Sequence, residues 1–143
     1  MSVQLRFGMP GTTWVRHVPD DPSPRRDDEF KLQRAICRYL GLALPHDATF
    51  FSVPNGGLRH KKVAAKLTAT GLTAGVPDLL VIYRGRALFI ELKTPSGRLS
   101  MAQRATMNKL THCGAPVMVC RSLPEVEAAL REATVPLRAS VVA

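Results

Sequence analysis

Two apolar segments joined by Arg84-Gly85 constrain the fold of this 143-residue chain more than any other feature of its sequence. Residues 78–83 and 86–93 are apolar on both faces, as expected for buried strands, and a short link that contains glycine is typical of a tight turn. We therefore predict a buried β-hairpin. Each residue then pairs with the one equally far from the turn, so that Asp78 faces Glu91.

Two acids that face each other in a buried hairpin are unfavourable unless something neutralises them. Like charges directly opposite each other destabilise a sheet, and a buried carboxylate loses its hydration. Opposed Cβ atoms lie about 5 Å apart, which lets two carboxylates bind one Mg²⁺ at ligand distances of about 2.1 Å. Lys93 stands two residues beyond Glu91 and therefore shares its face of the strand. The sequence predicts one site in which Asp78, Glu91 and Lys93 surround a divalent cation.

Each of these residues also has a purely structural interpretation. Asp78 could simply start a strand after a proline, and Glu91 and Lys93 could form an ion pair on an edge strand. The combination of Gly75-Val76-Pro77-Asp78, an apolar hairpin and Glu91-Leu92-Lys93 in the predicted register is much rarer than any one of its parts. The combination favours a site.

Two further polar residues are predicted near this site. Glu29 lies at the end of a helical stripe that faces the sheet and could give the cation a third oxygen ligand. An acid in the first turn of a helix is also favoured by the helix dipole alone. Gln103 belongs to a Ser100-x-x-Gln103 capping box, and from the start of its helix it could point toward a phosphate near Lys93.

The charges are unevenly distributed along the chain. Lys and Arg outnumber Asp and Glu by 20 to 11, which gives a net charge of +9. Residues 48–124 contain eleven of the basic residues but only two of the acids, Asp78 and Glu91. This excess indicates a surface that binds phosphates, with a generally basic soluble protein as the alternative. The predicted nucleic-acid contacts are Asn55, Arg59, Lys61, Lys62, Lys66 and Arg98.

The remaining pattern predicts the element order αβ(α)ββαβα. The first helix is expected over Asp28–Leu40, with Gly41 as its stop, and the second over Arg59–Thr70, with Val63 and Leu67 facing inward. Residues 1–26, which contain four Pro and two Gly, are expected to form an extended arm or a packed loop. The apolar segment Val135–Val142 is expected to be too short for a core element. The other predictions are strands at 49–53 and 117–120 and helices that begin at the capping boxes of Ser100 and Ser122.

Several classes of protein are excluded by what the sequence lacks. No apolar run approaches the roughly 18 residues that span a membrane, and the N-terminus has no apolar signal core. The three cysteines are widely spaced and form no Cys-x-x-Cys pair, so they are predicted to be reduced thiols. We expect a soluble cytoplasmic protein with no membrane partner.

In order and spacing, five separated motifs resemble the VRR-NUC (virus-type replication-repair nuclease) branch of the PD-(D/E)xK nuclease superfamily. The motifs are Glu29-x-x-x-Gln33, Pro54-Asn55-Gly56-Gly57, Gly75-Val76-Pro77-Asp78, Glu91-Leu92-Lys93 and Gln103. The resemblance covers residues 28–130 and implies a restriction-endonuclease-like α/β fold, an αβββαβ core whose mixed central sheet is flanked by helices. We accordingly predict an N-terminal arm or loop at 1–27, a nuclease domain at 28–133 and a C-terminal tail at 134–143.

The resemblance also implies the chemistry, which is metal-dependent hydrolysis of a phosphodiester that leaves a 5′-phosphate in most relatives. Asp78, Glu91 and the carbonyl of Leu92 would hold Mg²⁺ or Mn²⁺, and Glu29 would contribute directly or through water. Lys93 would orient the attacking water or steady the developing charge. Gln103 completes the predicted catalytic residues.

Stand-alone members of this family, such as those of phages and bacteria, tend to be homodimers that act on branched DNA. We therefore expect a Mg²⁺-dependent DNA endonuclease, similar to a Holliday-junction resolvase, in a bacterial cell or a phage-infected host. Its dimer interface would come from the arm, the first helix or the segment 135–142. The alternatives are a non-catalytic DNA-binding module of the same fold and a nuclease for RNA or linear duplex DNA.

Overall fold

The computed structural model describes residues 3–9, 12–18, 28–54 and 61–142. Strands and helices alternate along most of this length. The strands are β1 (Val3–Met9), β2 (Thr12–Val18), β3 (Ala48–Ser52), β4 (Leu79–Tyr83), β5 (Arg86–Leu92), β6 (Val117–Cys120) and β7 (Ala139–Val142). The helices are α1 (Asp28–Ala43), α2 (Lys61–Ala69), α3 (Met101–His112) and α4 (Leu123–Glu132).

The hairpin of β4 and β5 forms in the predicted register. Leu79 pairs with Ile90, so the next pair outward consists of the two acids that the sequence singles out. Both turn residues have positive φ angles, 47° at Arg84 and 74° at Gly85, as a two-residue type I′ turn requires. The turn therefore fixes which acid faces which.

Strands β3, β4, β5 and β6 form one sheet in this order. Strand β4 pairs antiparallel with both β3 and β5, whereas β5 pairs parallel with β6. The sheet is therefore mixed, as predicted. One face of it joins α1 and α4 in the hydrophobic core, where Ile36, Tyr39, Leu40, Val126 and Leu130 are fully buried. This mixed α/β architecture confirms the predicted fold class, and the opposite face of the sheet remains available for a site.

Two of the predicted helix details are wrong. Helix α1 continues through Gly41 to Ala43, because Ala43 and Leu44 are buried in the core and this packing outweighs the cost of about 1 kcal/mol for one glycine in a helix. On α2, Leu67 is half-buried, but Val63 is 50% exposed instead of facing inward. No described side chain of α2 is buried.

The terminal segments form a second sheet, in the order β2-β1-β7, where the sequence predicted an arm or loop and a tail. Val135 and Ala139 are buried with the core, so the C-terminal segment is a core element after all and these two side chains are not available to a dimer interface. Glu127 on α4 accepts hydrogen bonds from the Tyr39 hydroxyl, at 3.2 Å, and from the backbone N–H of Val141. These bonds join β7 to the main core.

Two expectations about the chemistry of the chain can be compared with this fold. All three cysteines are free thiols, as predicted. No helix in the described ranges is both long and apolar enough to cross a membrane.

Candidate active site

Glu91 is the buried acid at the centre of the candidate site, with only 1% of its surface exposed. It alternates along β5 with Ile90 and Leu92, which are core residues, and so its side chain lies on the opposite face of the sheet. Its Oε1 accepts hydrogen bonds from Lys93 Nζ, at 2.9 Å, and from Nε2 of Gln103. Its Oε2 is buried and has no hydrogen-bond donor among the described residues. A cation would satisfy such an oxygen.

Asp78 is half-buried at the start of β4, between two neighbouring strands. Its Oδ2 accepts a hydrogen bond from the backbone N–H of Leu92, at 2.8 Å, and its carbonyl accepts one from Val53 on the other side, also at 2.8 Å. Burial raises the pKa of Asp78, although the Leu92 hydrogen bond and attraction to Lys93 act in the other direction. The ionised carboxylate is therefore poorly compensated by the protein alone.

The charges around Lys93 are coupled. Burial raises the pKa of Glu91, and repulsion from Asp78 adds to this effect, while the hydrogen bond from Lys93 opposes it. Burial would lower the pKa of Lys93, but its hydrogen bonds and attraction to Glu91 and Glu29 outweigh burial and raise that pKa. The site thus contains a lysine and two acids whose pKa values are all raised, and an added cation would favour the ionised form of both acids.

Glu29 pairs with Lys93 and is close enough to Asp78 and Glu91 to raise the pKa of each. Its Oε1 is 3.4 Å from Lys93 Nζ, and its side chain is 54% exposed at the start of α1. In the described part of the chain, no three His, Cys, Asp or Glu side chains are placed to hold a metal ion together. Glu29 is thus held by Lys93 in this structure, and its contribution to a cation, directly or through water, stays a prediction.

The two remaining acids fit a hard divalent cation. Mg²⁺ is usually held by one or two carboxylates, with water and substrate phosphate completing its octahedral shell. Asp78 and Glu91 supply this number of carboxylates, and the free Oε2 of Glu91 is an oxygen that no described donor claims. Leu92, the third predicted ligand, donates its N–H to Asp78 Oδ2, and only its carbonyl oxygen has a lone pair with which it could bind a cation.

Gln103 forms the predicted capping box and contacts the site as well. The Ser100 Oγ accepts a hydrogen bond from the backbone N–H of Gln103, at 3.1 Å, and the Gln103 Oε1 accepts one from the backbone N–H of Ser100, at 2.8 Å. The amide nitrogen then donates to Glu91. Gln103 thus links the first turn of α3 to the buried acid.

Arg121 is a residue of the site region that the sequence analysis missed. Its guanidinium donates to the carbonyls of Thr94 and Gly97 in the loop that directly follows Lys93, the latter bond being 2.9 Å long. The same loop leads to the exposed Arg98. Arg121 thus fixes a loop that joins two predicted functional residues, but in the sequence it is one basic residue among many and follows a strand without any motif.

The basic residues predicted to contact nucleic acid are only partly placed. Lys62 and Lys66 are exposed four residues apart on α2 and so share one face of this helix, as predicted, and Arg98 is exposed as well. Lys61 is described only as the first residue of α2. The two others, Asn55 and Arg59, lie outside the described residues.

A known family model matches most of the chain. Residues 30–124, about two thirds of the chain, match the family model of the VRR-NUC domain. The chain belongs to the VRR-NUC domain family. Members of this family are nuclease domains and generally depend on divalent metal ions. The matched range includes Asp78, Glu91, Lys93 and Gln103, and it begins one residue after Glu29.

Two solved structures are similar to this VRR-NUC domain. A "VRR_NUC domain protein" superposes with a TM-score of 0.54 at 21% sequence identity, over 72% of this chain and 84% of the other, and so shares the fold. A structure described as "VRR_NUC domain" gives a TM-score of 0.49 at 25% identity, over 73% of this chain and 95% of the other. No curated protein sequence matches this chain.

The loop that leads to Asp78 packs directly on α3 of this VRR-NUC domain. A Cβ atom at Gly75 would lie 2.4 Å from the carbonyl carbon and oxygen of Ala102, closer than any side chain can approach. One helical turn further along, the Thr106 Oγ1 donates to the carbonyl of Ala74, at 2.7 Å. These contacts hold the start of α3 against the segment that supplies Asp78.

We expect Gly75→Ala to lower the free energy of unfolding more than Gly114→Ala does. The two glycines have similar φ angles, +77° and +81°, so both alanines incur a left-handed backbone cost of about 1–2 kcal/mol. Only at Gly75 must backbone atoms also move, because nothing lies within 4 Å of a Cβ at Gly114. Urea unfolding followed by circular dichroism measures the difference, and an equal decrease in both variants would contradict the close packing of the loop on α3.

Proposed function

We propose that this VRR-NUC domain is an endodeoxyribonuclease that requires Mg²⁺ or Mn²⁺ and cuts branched DNA. The observation that supports this most strongly is the Glu91 carboxylate, which is buried with one oxygen held by Lys93 and Gln103 and the other without a donor in the described ranges. A structural ion pair gains nothing from an unsatisfied oxygen, whereas a cation site needs one. The half-buried Asp78 beside it supplies the second carboxylate.

In this mechanism Asp78, Glu91 and the carbonyl of Leu92 would hold the cation, and Glu29 would contribute directly or through water. When bound, a divalent cation polarises the scissile phosphate and lowers the pKa of a water molecule. Lys93 is anchored by Glu91 and Glu29, and its raised pKa keeps it protonated at neutral pH. This favours Lys93 as a cation that steadies negative charge on the phosphate over Lys93 as a base. Gln103 keeps Glu91 in place.

The alternatives are a DNA-binding module without turnover and a nuclease for RNA or linear duplex DNA. The buried acids speak against the first, because a protein that only grips phosphates would bear the desolvation cost of Glu91 and Asp78 without benefit. The second differs from our proposal only in its substrate. The choice among substrates rests on the family resemblance and is open to direct test.

We expect cleavage to require a divalent cation and to fall by roughly 100-fold or more in Asp78→Asn, Glu91→Gln and Lys93→Ala. The assay offers labelled four-way junction, flap, linear duplex, single-stranded DNA and RNA to the purified protein with Mg²⁺ or with EDTA. Glu132→Gln, an exposed acid on α4, is the matched control and should cleave like wild type. Preference for linear duplex or RNA would point to the alternative nuclease.

Asp78→Asn separates impaired chemistry from impaired folding. The raised pKa of Asp78 means that its contribution to stability is present below the ordinary pKa and is lost as the pH rises through the raised value. At pH 7 in EDTA the ionised carboxylate therefore destabilises the fold, and asparagine can still accept the Leu92 hydrogen bond. The variant should melt no lower than wild type. Wild-type cleavage rates in Asp78→Asn would contradict the catalytic assignment.

The exposed lysines of α2 are proposed to bind the phosphate backbone and not to distinguish bases. The double variant Lys62→Gln, Lys66→Gln should weaken binding to all DNA sequences alike. The slope of log affinity against log salt concentration should become less steep by roughly 0.9 for each phosphate that the protein no longer neutralises. Arg84→Gln with Arg138→Gln is the control, because it removes two exposed charges, one of them at the hairpin turn and thus at the far end of β4 from Asp78. An unchanged salt slope in the lysine variant would place the DNA elsewhere.

We propose a homodimer, because a resolvase must cut two symmetry-related strands and one chain with one site cannot do so in a single encounter. Phe30 on α1 is largely exposed, which supports this helix among the three predicted sources of the interface. Light scattering at micromolar concentration should give twice the chain mass of 15.6 kDa. A strictly monomeric mass, with cleavage of flaps but not of four-way junctions, would reject the resolvase form.

A further inference from the structure

The orientation of the Gln103 amide is determined by its two partners. The backbone N–H of Ser100 can only donate, so it selects the carbonyl oxygen of the amide, which lies 2.8 Å away. The amide nitrogen is then left to face Oε1 of Glu91, which also accepts from Lys93 Nζ and so acts as an acceptor. The reverse orientation would set two donors against each other at Ser100 and two acceptors against each other at Glu91.

The Ser100 side chain maintains this arrangement from the exposed end of α3. Its Oγ accepts from the backbone N–H of Gln103, at 3.1 Å, and its backbone is extended, with φ −72° and ψ 165°. This is the N-cap conformation that brings the N–H of Ser100 within reach of the Gln103 side chain. Removal of the hydroxyl would loosen the turn on which both hydrogen bonds depend.

The two donors on Oε1 of Glu91 determine which oxygen remains for a cation. Lys93 and Gln103 both bind Oε1, and Oε2 is the atom without a donor in the described ranges. If Gln103 turned or moved away, the carboxylate would keep only Lys93 and could rotate. The free oxygen would then no longer be held in one position.

The start of α3 is in turn held against the segment that supplies the other acid. The hydroxyl of Thr106 bonds to the carbonyl of Ala74, and Gly75 lies against Ala102 and Gln103 with no space for a side chain. The position of Gln103 is therefore tied to the loop before Asp78 as well as to Glu91. The start of α3 therefore contacts both Glu91 and the segment that leads to Asp78.

We propose that Ser100 is a positioning residue that sets the affinity of the site for a divalent cation by acting through Gln103. This inference rests on the proposed function, since it presumes that Asp78 and Glu91 hold the cation. Groups that orient metal ligands without touching the metal commonly change affinity by about 10–100-fold. Ser100 has the place of such a group, although it lies on the surface and looks like an ordinary helix cap.

The test is the dissociation constant of Mn²⁺, measured by isothermal titration calorimetry on the full chain without DNA. The chain offers a matched control in Ser122, the N-cap of α4, whose Oγ accepts from the backbone N–H of Glu125. Ser100→Ala and Ser122→Ala should each lower the melting temperature in EDTA by roughly 2–6 °C, because each removes one cap. Only Ser100→Ala should weaken Mn²⁺ binding, by roughly tenfold or more. Ser100→Thr, which keeps a capping hydroxyl, should restore it.

Each outcome bears on the proposal. Wild-type affinity in Ser100→Ala, or an equal weakening in Ser122→Ala, would overturn the role of Ser100 and leave the proposed function intact. Absence of Mn²⁺ binding by the wild-type protein would overturn the proposed function and this inference with it. If Ser100→Ala does not fold, Thr106→Val replaces it. This variant removes the hydroxyl that bonds to Ala74 and should weaken Mn²⁺ binding in the same direction, whereas unchanged affinity would contradict the proposal.

Discussion

The interaction on which the candidate site depends is the burial of the Glu91 carboxylate beside Lys93. A carboxylate with 1% of its surface exposed loses nearly all of its hydration, and the effective cost of burying an ion is several kcal/mol. One lysine and one amide compensate only one of its two oxygens. Among the described residues, the second oxygen of Glu91 is the one buried side-chain oxygen or nitrogen without a hydrogen-bond partner. A divalent cation would remove the deficit and the repulsion from Asp78 together.

The rest of the fold holds this arrangement in place. The two-residue turn sets the register that brings Asp78 opposite Glu91. A shift of this register by one residue would turn the Ile90 side chain out of the core, so packing on the other face of the sheet opposes it. The α3 contacts at Gly75 add a second constraint from the other face of the sheet. Arg121 adds a third by binding the carbonyls of the loop that follows Lys93. Both acids thus lie where the hairpin, α3 and Arg121 hold the backbone in place, as a site that must keep its geometry requires.

Sequence alone could predict the parts of this fold that short-range patterns encode. The hairpin register follows from the turn and the apolar strands, and the capping box of Ser100 follows from two residues of one helical turn. The sheet β2-β1-β7 joins the two ends of the chain, and no local pattern encodes which distant strand will pair. Val63 was predicted to face inward because it is an apolar residue at helical spacing. Burial also requires another element that packs on that face, and the sequence of one helix does not show whether such an element exists. The pairing of Glu29 with Lys93 was missed for a similar reason. The position of Glu29 on the helix predicts that its side chain faces the sheet, but not which charged side chain there it contacts.

The distribution of charge along the chain and the burial of the two acids both favour binding of a polyanion. Lys93, Arg98 and the α2 lysines would each attract a phosphate backbone, whereas Glu91 is buried and Asp78 is half-buried, and Lys93 partly offsets their charge. Acids on the surface would repel the same phosphates, and acids without a cation would repel each other. Burial of the two carboxylates lets a chain with a net charge of +9 attract a polyanion and still retain both acids. Burial is also the main cause of the raised pKa values of Asp78 and Glu91, and any further acid near them would add repulsion, which is in keeping with the small number of acids between residues 48 and 124.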